Sequence, residues 1–124
     1  MKAKSARFLI VTILLSGIFI VSAWYWFGIF TPYNAFAAKR DIEKGNVHFL
    51  YYGEMDPRQK LVDSIAGHYG FGYRRVDDCN VNDVLINGVK RYNMVVGEYM
   101  CKCRGKDWEV RFREDLNNLK DMDR

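Results

Sequence analysis

With 124 residues the chain has room for one domain at most. Its formal charge of +4 overstates any basic character, because Lys2, Lys4 and Arg7 account for three of the nineteen cations and leave sixteen against all fifteen acids, a net of +1. That balance removes the electrostatic case for a nucleic-acid partner, and three cysteines with two histidines give little material for a metal site.

No charged side chain occurs from residue 8 to residue 30, and 23 residues at about 1.5 Å each cover the ~30 Å hydrocarbon thickness of a bilayer. The run predicts a transmembrane helix over 8–30, behind a basic tail at 1–7 and ahead of a juxtamembrane segment at 31–37. Trp24, Tyr25, Trp26, Phe27, Phe30 and Tyr33 are its membrane-interface residues, amphipathic rings of the kind that settle among headgroups. A cleaved signal peptide is the alternative, with Ala35-Phe36-Ala37 as a small-x-small site, although the apolar run exceeds an h-region of roughly 7–15 residues. The three N-terminal cations favour a cytoplasmic N-terminus, which places the domain outside the cytoplasm.

Residues 38–124 contain no repeat and no Pro/Gly/Ser linker, so they read as one small α/β domain. A short helix over 38–44 stops at Gly45. The β-branched and aromatic run VHFLYY (47–52) predicts a buried strand. Asp56-Pro57 suits a helix start, Leu61, Val62, Ile65 and Tyr69 give that helix an apolar face, and Gly70 ends it. A second strand follows over 71–76, and the strand-helix-strand order implies a parallel pair. Asn82 or Asp83 can cap the longest soluble helix, in which Leu85, Val89, Tyr92, Val96, Tyr99 and Cys103 recur in steps of three and four. Gly105 breaks it, and a last helix carries Trp108, Phe112, Leu116 and Leu119, with fraying expected from Lys120. The expected architecture is therefore a transmembrane helix followed by a β-α-β-α-α domain whose parallel strand pair is covered by helices. Phe49, Tyr73, Tyr92, Trp108 and Phe112 are its candidate core.

Three stretches, AKRDIEKGNVHFLYYG (38–53), HYGFGY (68–73) and INGVKRYNMVVGEYM (86–100), resemble in order and spacing the bacterial membrane-anchored family named after its FEKKY motif. Of that motif's five positions only Tyr69 agrees here, within Ile65-Ala66-Gly67-His68-Tyr69. The resemblance implies an anchored small domain and brings with it no activity, ligand or catalytic residue.

HYGFGYRRV (68–76) also resembles the RNA-stacking strand of an RRM domain, which needs a leading cation, alternate exposed aromatics and a four-stranded platform. Tyr69 stands where that cation would be, and two strands make no such platform. The plainer expectation is a helix stop followed by a core strand, with a covering helix pressed close against Gly72.

Cys79 precedes the longest helix while Cys101 and Cys103 lie near its end, about 28 Å away along the axis, which is too far for a disulfide. Residues two apart on a helix point away from each other, so three free thiols are expected, Cys103 among them buried as a small hydrophobe. No cofactor motif occurs, no metal site is expected, and no catalytic residue is assigned. A protein-interaction or structural module, bound to the lipid bilayer and to a partner protein, is the leading expectation. The alternative is an enzyme whose site forms at the strand C-terminal ends, with Tyr52, Glu54, Asp56, Asp77 and Asp78 as the candidate ligand region.

Overall fold

The computed structural model describes residues 2–54, 56–76 and 81–122. Seven elements follow one another: α1 (Lys2–Phe27), α2 (Ala35–Glu43), β1 (His48–Tyr51), α3 (Gln59–Tyr69), β2 (Gly72–Arg75), α4 (Asp83–Arg104) and α5 (Trp108–Met122). The two strands pair in parallel, with Phe49 opposite Tyr73 and Tyr51 opposite Arg75. A two-stranded sheet is marginal by itself, and here helices cover it: α2 packs on α4 and α4 against β1, while α3 packs on β2 and α5.

The apolar part of α1 is the one helix among the described residues long and apolar enough to cross a membrane, over Ala3–Phe27, and none of that stretch is buried within the protein. Its end lies at Phe27 rather than at residue 30, because Gly28 turns the backbone to φ +58, a conformation that glycine takes without strain. A tight turn follows. The Thr31 hydroxyl, with one proton to give, lies within bonding distance of the carbonyls of Gly28 (2.7 Å) and Tyr33 (2.6 Å), and the buried Asn34 side chain donates to Ile29 and Thr31 carbonyls while accepting from Ala37 N–H at 2.9 Å. Asn34 is thus the N-cap of α2, which starts three residues before the sequence suggests, and Ala37 and Ala38 are buried beneath it.

The turn is seated on α4. A Cβ at Gly88 would overlap the Tyr33 carbonyl and stand 2.7 Å from Thr31 Oγ1, and one at Gly28 would lie 2.6 Å from Gly88 Cα, so backbone meets backbone here. Asn87 Nδ2 donates to the Tyr25 carbonyl (2.9 Å), and Arg91 lies over the Phe27 ring at 4.8 Å. Helix α1 therefore runs into the domain without a linker.

The core joins both halves of the fold. Tyr92, Val96 and Met100 are fully buried on α4, and Phe71, at the start of β2, sits among Phe49, Tyr73, Trp108 and Phe112 at ring distances of 5.1 to 5.5 Å. Such edge-to-face contacts bury large rings while satisfying their quadrupoles. Trp108 and Phe112 are buried as expected, and Phe49 and Tyr73 partly so.

Several expectations need correction. Gly72 has no heavy atom within 4 Å of a Cβ built on it, so no helix presses against it; the close approach occurs at Gly88 instead. Cys103 is exposed, because the apolar stripe of α4 runs on past the sheet, and the last deeply buried position is Met100. On α3 the fully buried residue is Ala66, while Leu61 is exposed at the end of that face. Asp56 does not cap α3 directly: its carboxylate accepts from Arg58 N–H (2.8 Å) and its carbonyl from Gln59 N–H, one turn before the helix. The last helix extends to Met122. By contrast Asn82 caps α4 through Leu85 N–H (2.8 Å), and Gly70, at φ +87, closes α3 with the left-handed turn expected of it.

Candidate functional site: an aromatic cleft between the sheet and two helices

Strand alternation sends Phe49 and Tyr51 of β1 to the same face as Tyr73 of β2. Opposite them, Trp108, Phe112 and Leu116 recur every four residues along α5, and Val89, Asn93 and Gly97 do the same on α4. These three surfaces enclose an open cleft of about 960 Å³. Tyr52, Lys90, Met94, Glu109 and Arg113 complete its wall and rim.

The Asn93 amide and the Glu109–Arg113 pair inside are already committed. Asn93 spans the outer edge of β1, its Oδ1 accepting from Leu50 N–H (2.8 Å) and its Nδ2 donating to Leu50 C=O (2.9 Å), as a neighbouring strand would. Burial first, and then Glu109 and Asp63, raise the Tyr73 phenol above its ordinary value, so it stays a neutral hydroxyl at physiological pH. Glu109 is the one carboxylate lining the cleft, and it pairs with Arg113 one turn along α5 in an exposed bridge of small energetic weight. Such a lining can bury an apolar ligand; it brings together no nucleophile, base and oxyanion donors of the kind group transfer requires.

The residues singled out at the strand ends do not converge. Tyr52 lines the cleft, Glu54 is exposed beyond β1, and Asp56 lines a separate depression of about 220 Å³ with Arg58 and Lys120. Asp77 and Asp78 lie outside the described residues, as does Cys79. Among the interface aromatics, Trp24, Tyr25, Trp26, Phe27 and Phe30 are exposed, whereas Tyr33 turns inward and packs edge-to-face on Tyr92 at 6.4 Å.

A second polar group is invisible in the sequence because it joins positions 41, 48, 74 and 92. The buried Tyr92 hydroxyl donates to Asp41 Oδ2 (2.8 Å), and burial together with that bond pushes its phenol far above the ordinary value. His48 stacks on the Tyr92 ring at 6.2 Å, and its buried Nε2 has no hydrogen-bond partner among the described residues. Burial, and next the Arg74 charge, lower its pKa, with Asp41 opposing them. Elsewhere His68 and Cys103 line one shallow pocket of about 340 Å³, but His68 Nδ1 is bonded to Ser64 C=O (2.8 Å). Cys101 and Cys103 are free and exposed. Among the described residues no three His, Cys, Asp or Glu side chains gather as a metal site would require.

No protein-family model, no curated protein and no solved structure matches the chain.

Proposed function

We propose that the chain is a single-pass membrane-anchored module whose small domain works by contact with a partner protein at the membrane and without catalysis. The observation that carries this reading is the linker-free junction between α1 and α4. Cleavage after Ala37 would remove Tyr33, which packs on the core, and Asn34, which caps α2, and would uncover Gly88. A disposable leader would not share buried contacts with the product it leaves behind. A junction of this kind also holds the domain at one attitude to the bilayer, which suits a part that positions a surface. The likeness to FEKKY-motif domains over residues 38–53, 68–73 and 86–100 points to the same architecture.

The domain faces away from the cytoplasm in this proposal, on the strength of Lys2, Lys4 and Arg7 at the N-terminus. Carbonate extraction of membranes carrying a C-terminally tagged chain, with an intact-mass measurement, tests the anchor. The expected product is membrane-retained and includes residues 1–37, and a soluble product starting near residue 38 refutes it. A membrane-impermeant maleimide applied to a Cys79→Ser background tests the orientation through the exposed thiols of Cys101 and Cys103. Labelling in intact cells is expected, and labelling only after lysis reverses the assignment.

A further inference from the structure

We infer that the aromatic cleft holds the acyl chain of an anionic amphiphile drawn from the adjoining bilayer leaflet. Helix α4 is the common wall that leads there. Asp83, Val84, Asn87, Gly88 and Arg91 of α4 bond to or touch α1 and its turn, and Lys90, beside the last of them, lines the cleft. Lys90 is three helical steps beyond Asn87, about 4.5 Å along the helix axis. The cleft thus begins at the level where α1 leaves the bilayer, within reach of a lipid chain, and this placement rests on the anchored reading of α1.

Size and chemistry agree with that occupant. A volume of about 960 Å³ lies at the upper end of the ~300–1,000 Å³ typical of small-molecule sites. Its walls are rings, Met94 and Leu116, with the amide of Asn93 already spent on Leu50. A sugar would find few free polar partners there, and an added strand is blocked at the edge of β1 that Asn93 occupies. At the rim Arg113 is neutralised by Glu109, while Lys90 makes no ion pair among the described residues. Its stem can follow the apolar wall with the ammonium at headgroup level, where it meets an anion.

The test uses the full-length protein in phosphatidylcholine/phosphatidylglycerol vesicles containing a trace of phosphatidylglycerol with a diazirine near the chain end. After irradiation, adducts are mapped by mass spectrometry. Adducts are expected on α1 and also on the cleft residues Met94, Trp108 and Leu116. Gly97→Leu should remove most cleft adducts and leave those on α1, because a side chain at 97 enters open space in the cleft. Its thermal midpoint should equal or exceed that of the parent, which separates blocking from unfolding. Lys90→Glu should lower cleft labelling by the phosphatidylglycerol probe several-fold more than by a phosphatidylcholine probe. Adducts confined to α1, or cleft adducts unchanged in Gly97→Leu, overturn the inference and leave the anchor standing. Absence of adducts on α1 as well overturns both.

Discussion

Two glycines nine positions apart on α4 should respond to the same substitution with opposite signs. In a helix interior Gly→Ala ordinarily stabilises by roughly 0.5–1 kcal/mol, since alanine loses less backbone entropy on folding. At Gly97 nothing lies within 4 Å of the new methyl, so Gly97→Ala should show that gain undiminished. At Gly88 the methyl would overlap the Tyr33 carbonyl and crowd Thr31 Oγ1, whose proton lies between the Gly28 and Tyr33 carbonyls and holds the turn. The obstacle is backbone on both sides and cannot rotate away. Overpacking of this kind costs about 1–3 kcal/mol, and displacing the turn puts the Thr31 hydroxyl's hydrogen bond at risk, worth about 1 kcal/mol. The two variants should therefore differ by roughly 2–4 kcal/mol, and at about 4–8 °C per kcal/mol for a domain this size the separation is easily read. Thermal unfolding of the full chain in detergent, followed by near-ultraviolet circular dichroism, is the assay. A Gly88→Ala midpoint at or above the parent's would refute the close seating of the turn on α4.

Asn93→Ala should cost about 1–3 kcal/mol, because it leaves the N–H and C=O of the buried Leu50 unpaired at the edge of β1; an unchanged denaturant midpoint would show that water or another group replaces the amide. Gly72→Val should be neutral or stabilising by up to ~1 kcal/mol, as a β-branched residue in a strand with open space around it, and a clear loss of stability would mean that the site is covered. For His48 the folded pKa lies below the unfolded value near 6.5, so the neutral ring is favoured by folding. The unfolded chain binds the extra proton first, hence stability from this group is complete above about pH 6.5 and is lost as pH falls from there through the folded pKa. His48→Phe should flatten the fall in melting temperature between pH 7.5 and pH 5.5, and an identical fall in both proteins would remove His48 as its cause.

The local elements were legible because their causes are local. Asn82 caps the helix that begins beside it, and Gly70 ends α3 where a left-handed residue is needed. VHFLYY forms a strand because branched and aromatic side chains suit a pleated surface. The apolar run is a helix long enough to cross a membrane by composition and length alone. Even the parallel pairing follows from element order. The face of α4 was legible too, whereas its extent was not: Cys103 continues the stripe of Val89, Tyr92 and Val96 but stands beyond the sheet that would have covered it.

What only the tertiary structure decided depends on groups distant in the chain. Gly72 and Gly88 look alike in sequence, and which one meets another backbone is set by where the turn after α1 lands. Asn93 reads as a polar residue beside a core stripe until it is seen closing the edge of β1. The Asp41–Tyr92–His48 contact and the cleft between β1, α4 and α5 join residues up to 67 positions apart, and periodicity carries no information at that range. Residues 31–37 read as a spacer by composition, yet they complete the domain: Asn34 caps α2 through neighbours within five residues, but Tyr33 meets Tyr92 and Gly88 only once the turn has packed on α4.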